Sequence, residues 1–367
     1  MTNRRDLKAF LRFPWTVQET DPNWVPPLLI DQKSFFDSAK HPFYEHGAVA
    51  SFLAKSPENG QIVGRVSAIH NSAHNRFHND RVGFFGFFEC VNDVETASAL
   101  LDTAASHVKD LGLDTLRGPM SFSTNEECGM LIEGFDTPPA IMMTHNPPYY
   151  NDLLERCGFV KARDLLAYEM SEGDITERLL QIAKKLESRL NLRFAFFNKN
   201  DFWGEVNKFR YLYNRIWEAN WGFVPMTDNE IDSMAKNLKL ILDPALVLFV
   251  TTHDGEPVGF SLALPDFNVL LKKINGRLFP TGIFTLLFGR RRINRARVLA
   301  MGVLPEFRQR GIDAVMYLKT YESGLRKGYN WGEFSWVLED NKNMNDAALS
   351  MGSRPYKKWR IWEKQLT

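Results

Sequence analysis

Apolar and polar positions divide the first half of the chain into strand and helix patterns. The runs "YEHGAVASFLAK" (44–55) and "QIVGRVSAI" (61–69) are separated by the turn-rich "SPENG" and predict a β-hairpin. The aromatic run 81–91 predicts a strand, and 92–112 shows helical spacing that ends at Gly112. Residues 114–120 then predict a strand, 147–159 a short helix and 162–170 a final strand.

The second half repeats this order of elements. After a helix at 175–190 and a strand at 193–199 come two helices and a hairpin that turns at Asp254–Gly255. A strand at 295–307, a helix at 310–328, a strand, a short helix and a last strand complete it. We therefore predict an internal duplication of one α+β unit, with domains 1–172 and 173–367; two unrelated α/β domains are the alternative.

Composition narrows the classes of function. The 367 residues carry a formal net charge of +1, so no global field attracts nucleic acid, and no nucleic-acid partner is expected. Three cysteines without CxxC spacing argue against a disulfide framework and a zinc ribbon. The N-terminus does not read as a signal peptide, and no apolar run approaches the length of a membrane span. We expect a cytoplasmic protein, and its oligomeric state is not readable.

The stretch "VLPEFRQRGIDA" (303–314) joins a predicted strand to a predicted helix. Backbone N–H groups at a helix N-terminus are unpaired and carry partial positive charge, so this junction could hold a pyrophosphate. Arg308 and Arg310 add local charge, and Gly311 would allow close approach of the backbone. Many strand-to-helix turns contain such residues, so the pattern alone has low specificity.

Residues 190–367 resemble the GNAT superfamily of acyl-CoA-dependent N-acyltransferases. The positions that match its strand ending, its phosphate loop and its next helix are Val303, Pro305, Arg308, Gly311, Asn341, Met344, Ala348 and Gly352. The resemblance implies tandem α+β domains, each with a mixed, mostly antiparallel sheet flanked by helices. The first half resembles a degenerate copy of the same fold that lacks the phosphate loop.

The resemblance also implies a chemistry. Acetyl-CoA or a longer acyl-CoA would be the cosubstrate, without a metal, and the amine of a small molecule or peptide would attack its thioester. Glu339 would be the base, with Glu333 as a weaker candidate, and Tyr356 would be the acid. The residues expected to contact the cosubstrate are Met301, Val303, Arg308, Gln309, Arg310, Gly311, Ile312, Asp313, Ala314 and Asn341.

Two positions depart from the GNAT pattern. Asp313 stands where the family has a small residue, and Ala348 stands where the family often has a tyrosine that acts as the general acid. The Asp313 carboxylate could occupy the anion site itself, or point away and only repel the phosphates. An inactive binding protein therefore stays an alternative, and so does an aminoacyl transferase of the FemABX type, which also pairs two GNAT-like folds.

Three further stretches could carry chemistry. His70, His74 and His78 recur every four residues, but without nearby cysteines they predict a polar loop or a short exposed helix rather than a metal site. Cys128 follows two glutamates, which oppose thiolate formation. The stretch around it, 123–139, is long for a structureless connection and could line a pocket.

The segment 270–297 has an apolar centre between two basic flanks and contains no acidic residue. An inserted helical hairpin that covers the core is one interpretation. Contact with a membrane surface or with a long acyl chain is the other, because both use an apolar centre with a cationic rim.

Overall fold

The computed structural model describes residues 3–366. The helices are α1 (Arg4–Arg12), α2 (Pro14–Gln18), α3 (Leu29–Phe35), α4 (Ser72–His78), α5 (Val94–Asp110), α6 (Tyr149–Arg156), α7 (Glu177–Glu187), α8 (Phe202–Trp217), α9 (Asp228–Leu238), α10 (Asn268–Ile274), α11 (Gly282–Gly289), α12 (Ile312–Arg326) and α13 (Lys342–Ser350). The strands are β1 (Gly47–Lys55), β2 (Ile62–Asn71), β3 (Val82–Cys90), β4 (Thr115–Gly118), β5 (Met120–Ser121), β6 (Glu127–Cys128), β7 (Met130–Glu133), β8 (Val160–Ser171), β9 (Arg193–Phe196), β10 (Val247–Thr251), β11 (Pro257–Pro265), β12 (Arg295–Val303), β13 (Trp331–Leu338) and β14 (Arg354–Gln365).

The chain forms two compact units. The first contains the residues up to Leu165, Asn268–Phe288 and the residues from Lys357 onward. The second contains Leu166–Phe267 and Gly289–Tyr356. Compactness does not test where a duplicated unit begins, so the predicted boundary between residues 172 and 173 stays a prediction.

The first unit has a mixed sheet in the order β1-β2-β3-β4. The first two pairings are antiparallel, whereas β3 and β4 run parallel from Val82–Thr115 to Phe84–Arg117. Asp93 caps the N-terminus of helix α5, because its side chain accepts a hydrogen bond from the Thr96 backbone N–H. Its buried stripe packs on the sheet, and its members are Ala97, Leu100, Leu101, Ala104 and Val108.

The second unit has the same order in its strands β10-β11-β12-β13. The antiparallel hairpin β10–β11 is followed by antiparallel β12, and β12 and β13 are again parallel. Helix α12 connects the parallel pair, as α5 does in the first unit. Its buried residues Ile312 and Met316 pack with Leu248, Val250 and Val303. The predicted fold class, a mixed and mostly antiparallel sheet flanked by helices, is confirmed.

Two local predictions need correction or refinement. The connection 123–139 contains the short strands β6 and β7, and its role in lining a pocket stays a prediction. His70 lies in β2 and only His74 and His78 lie in α4, where His74 is buried rather than exposed. Burial lowers the pKa of His74 to about 3, so its ring is neutral at ordinary pH. Within residues 3–366 no group of His, Cys, Asp and Glu is arranged to hold a metal.

None of the helices in the described part of the chain is both long and apolar enough to span a bilayer.

Candidate active site

The candidate site begins at a β-bulge in β12. Ala300 pairs with Leu262 and Val298 pairs with Ala263, so Leu299 is the extra residue on β12. On the other side, the parallel ladder with β13 ends at Val298–Phe334, although both strands continue, to Val303 and Leu338. A bulge bends its strand and increases the twist, which accounts for the end of this pairing. The carboxyl ends of parallel strands are where α/β proteins commonly bind ligands.

Beyond β12 the chain makes a tight loop into α12. Gln309 and Gly311 both have a positive φ, 61° and 73°, and Gly311 is the N-cap residue of the helix. No side chain caps the helix N-terminus. The first-turn N–H groups of this 15-residue helix therefore point out of its end, where the helix dipole favours an anion. The predicted pyrophosphate contacts from Arg308 to Ala314 all lie in this loop or in the first turn.

The two loop arginines are engaged with the backbone. Arg308 donates from Nε to the Val303 carbonyl at 3.2 Å and from Nη2 to the Ile216 carbonyl at 2.7 Å. Arg310 donates to the Glu306 carbonyl at 3.0 Å, and its guanidinium lies 5.0 Å from the centre of the Phe307 ring. Both guanidinium groups therefore brace the loop while adding positive charge beside the helix N-terminus.

Helix α7 covers the loop. A Cβ atom at Gly311 would lie 2.3 Å from Leu186 Cδ2, so a larger residue would displace that side chain. Lys319 of α12 forms an ion pair with Glu187 at 2.8 Å, which fixes α7 to the same helix. Gly311 thus serves two needs at once: a left-handed backbone and close approach by α7.

Asp313 is exposed in the first turn of α12. Burial raises the pKa of Tyr317, one turn further along, and the Asp313 carboxylate raises it more. The Tyr317 hydroxyl stays protonated and lies 3.3 Å from Met344 Sδ. A negative charge therefore stands beside the N–H groups that would hold phosphate.

A buried polar network lies at the start of the same parallel pair. Glu333 is fully buried, and its Oε1 lies 3.4 Å from Arg297 Nε. Ser335 donates to Glu333 Oε1 at 2.5 Å, and the Tyr356 hydroxyl donates to Oε2. Arg297 also donates to Ser335 Oγ at 2.9 Å. Sequence reasoning missed this network; the one available signal was a charged residue within each of two apolar strand patterns.

The other predicted site residues follow β13. Glu339 comes directly after the strand and is partly exposed. Asn341 caps α13 by accepting a hydrogen bond from the Met344 N–H, at 3.2 Å. Asn345 donates to the Leu338 and Glu339 carbonyls, at 3.1 and 3.2 Å, which ties the strand end to the helix.

Ala348, where the GNAT pattern often has tyrosine, is fully buried in an apolar cluster. The predicted acid Tyr356 instead meets the buried Glu333.

The structure thus brings the predicted residues into two neighbouring places. Met301, Val303 and the loop belong to the end of β12, while Glu339 and Asn341 belong to the end of β13. Parallel strands end at the same edge of a sheet, so both groups border the opening between the two strands.

Comparison with known proteins places this geometry in context. No family model matches the sequence. Protein YghO of Escherichia coli is 36% identical over 372 aligned residues, which cover 99% of this chain and 94% of that protein. The bacterial ceramide synthase of Caulobacter vibrioides is 35% identical, over 98% of this chain and 95% of that protein. The chain belongs to the family of these two proteins.

Solved structures agree on the fold. A tandem GNAT protein from the clavulanic acid biosynthesis pathway superposes with a TM-score of 0.57 at 13% identity, covering 99% of this chain and 96% of that one. A GCN5-related N-acetyltransferase from Anabaena variabilis gives 0.51 at 10% identity, over 100% of this chain and 71% of that one. These likenesses confirm the predicted GNAT-like fold and its tandem arrangement.

Proposed function

We propose that this protein is an acyl-CoA-dependent N-acyltransferase that joins a fatty acyl group to the amine of a long-chain amino alcohol. The observation that carries the proposal is the uncapped N-terminus of α12, placed by Gly311 at the opening between β12 and β13. The substrate class is supported by the relative named bacterial ceramide synthase, because a ceramide is the N-acyl amide of such an amino alcohol.

Acyl-CoA would bind in the second unit, with its pyrophosphate at the first turn of α12. The N–H groups of Ile312, Asp313 and Ala314 supply donors, and the dipole of the helix adds partial positive charge. The acyl–pantetheine arm would enter the opening along the free end of β12, near Met301 and Val303. Backbone groups of an antiparallel strand point alternately to its two sides, so part of this stretch can donate to the thioester carbonyl.

The reaction itself is a direct acyl transfer. The neutral amine attacks the thioester carbonyl carbon, the C–N bond forms, and the C–S bond of the tetrahedral intermediate breaks. The nitrogen loses one proton to a base, and the departing CoA thiolate gains one from an acid or water, so charge and atoms balance. We assign the base to Glu339, just after the end of β13. The thiolate takes its proton from water, because the Tyr356 hydroxyl is bonded to Glu333 near the start of that strand, six residues or roughly 20 Å away along extended chain.

The contacts of Glu333 favour Glu339 as the base. Both oxygens of Glu333 already accept hydrogen bonds, and Arg297 lies beside them. Glu333 is fully buried, so an acceptor amine cannot reach it, and we assign it a structural role with Arg297 and Tyr356. Glu339 is partly exposed at the strand end, where an acceptor amine could reach it.

The test combines binding and turnover on the full chain. Titration calorimetry with CoA, acetyl-CoA and palmitoyl-CoA measures the cosubstrate site, and mass spectrometry of mixtures with sphinganine detects the amide. We expect CoA binding that Asp313→Gly strengthens, and amide formation that Glu339→Gln lowers sharply in kcat with little change in KM. Asp110→Asn, which changes an exposed carboxylate at the end of α5 in the first unit, is the control.

Each contrary result points to a named alternative. If neither the wild type nor Asp313→Gly binds CoA, acetyl-CoA or palmitoyl-CoA, the acyltransferase proposal is overturned. CoA binding without turnover of any long-chain or small amine would indicate an inactive binding protein. Transfer from aminoacyl-tRNA, but not from acyl-CoA, would indicate chemistry of the FemABX type.

A further inference from the structure

The hairpin formed by α10 and α11 exposes large apolar side chains. The apolar face consists of Phe279, Phe284, Leu287 and Phe288, whose exposed fractions are 65%, 57%, 65% and 75%. Phe284 and Phe288 stack with ring centres 6.4 Å apart. Single exposed apolar residues are common on proteins, whereas four within ten residues form a contiguous stretch that usually marks an interaction site.

The hairpin is firmly attached to the first unit. Leu270, Ile274 and Gly282 are buried, so one side of the hairpin packs inward. The Gly276 carbonyl accepts a hydrogen bond from the Leu29 N–H at 3.1 Å. Asn268 donates to two carbonyls of the 139–140 loop, each at 2.9 Å. The apolar face therefore points outward from a fixed scaffold, and packing inside this unit does not bury it.

The charged residues along this stretch of the chain are all basic. No aspartate or glutamate occurs between Phe267 and Pro305. Lys273 and Arg277 are exposed on the same hairpin, and the chain runs from Phe288 through one glycine into Arg290, Arg291 and Arg292. Basic residues that flank an apolar stretch along the chain, here called the basic rim, complement an anionic surface that has an apolar interior.

We propose that this apolar face docks the protein on the surface of a bilayer containing anionic phospholipids. The aromatic and leucine side chains enter the boundary between headgroups and acyl chains, and the lysine and arginine side chains contact the lipid phosphates. The eight-residue helix α11 is far too short to span a bilayer, so it lies at the interface. This role goes beyond the proposed acyl transfer and does not depend on it.

Vesicle co-sedimentation of the full chain tests the proposal. Vesicles of phosphatidylcholine mixed with phosphatidylglycerol should bind the wild type, and vesicles of pure phosphatidylcholine should bind it weakly. The double variant Phe284→Ser/Phe288→Ser should lower the partition coefficient at least about tenfold, since burial of one large apolar side chain is worth about that factor or more. The control Leu111→Ser/Val160→Ser removes apolar side chains that are 48% and 61% exposed elsewhere in the first unit.

A second variant tests the contribution of the basic rim to vesicle binding. Lys273→Gln/Arg277→Gln should weaken binding to the mixed vesicles by about fivefold for each charge removed, without affecting pure phosphatidylcholine.

Equal binding of the wild type and the phenylalanine double variant would overturn the proposal. The proposal would also be overturned if the wild type binds neither vesicle type but dimerises in analytical ultracentrifugation through the same phenylalanines. The apolar face would then be a contact between two copies. Neither result bears on CoA binding, which is measured separately.

Discussion

Gly311 offers a sharp test of how the loop before α12 is built. Its φ of 73° lies in the left-handed region, which costs a residue with a Cβ about 1–2 kcal/mol. A Cβ there would also lie 2.3 Å from Leu186 Cδ2. Leu186 would have to leave its rotamer, at about 0.5–1.5 kcal/mol. Gly311→Ala should therefore lower the free energy of unfolding by about 1.5–3.5 kcal/mol.

Gly328, just after the C-terminus of α12, separates the two contributions. Its φ is 88°, and an added Cβ would meet no atom within 4 Å. Gly328→Ala should therefore cost only the backbone term, about 1–2 kcal/mol. When Gly311→Ala is made in a Leu186→Ala background, its destabilisation should fall to the same value of roughly 1–2 kcal/mol. The double-mutant cycle then gives a coupling free energy of about 0.5–1.5 kcal/mol.

Urea denaturation of the four variants measures these values, and calorimetry measures CoA binding in parallel. Gly311→Ala should weaken CoA binding because it shifts the N–H donors, whereas Gly328→Ala should leave binding unchanged. Equal destabilisation by Gly311→Ala and Gly328→Ala, or no coupling with Leu186, would refute the close packing of α7 on this loop.

Three further predictions concern charges. Glu333→Gln leaves Arg297 buried without its counter-charge, and urea denaturation should show a loss of about 3–5 kcal/mol, whereas a loss near zero would contradict the buried pair. Asp313→Asn should tighten CoA binding by about threefold to tenfold, the Coulomb energy of one charge about 6 Å from a phosphate at an effective dielectric constant of about 40–80. Calorimetry checks this against Asp110→Asn in the first unit, which should have no effect. Burial lowers the pKa of His74 from 6.5 to about 3, so the unfolded chain binds the proton more readily. The stability that neutral His74 contributes to the folded state is fully present above about pH 6.5 and is lost as the pH falls towards 3, by up to about 5 kcal/mol. His74→Gln should therefore make the free energy of unfolding fall less steeply with decreasing pH, as urea denaturation at several pH values would measure.

Periodicity along the chain was sufficient to predict most elements of the fold. The stripe on α5 and the alternation in the hairpins require an apolar face, and that requirement is written in local sequence. The order of elements also predicted the duplication of the sheet, because a strand, a long helix and a next strand make a parallel pair in either unit. The length of the connection 123–139 showed only that it was unusual, not that short strands lie within it.

Only part of the candidate site could be predicted from the sequence. Its loop was predictable, because Gly311 follows a strand and precedes a helix. The directions of the loop arginines were not predictable. Their guanidinium groups donate to carbonyls that only folding brings near, such as that of Ile216. The partner of Tyr356 was likewise hidden, because Glu333 lies 23 residues away along the chain.

By itself the sequence determined the elements, their order, the glycine turn and the basic apolar segment, all of which depend on neighbours a few residues apart. Only the tertiary structure decided that Leu299 forms a bulge, that β12 and β13 part at Val298, and that Glu333 is buried beside Arg297. It also decided that the apolar face of α11 points outward. The physical reason is that strand register, burial and charge pairing depend on contacts between distant residues, which local patterns leave open.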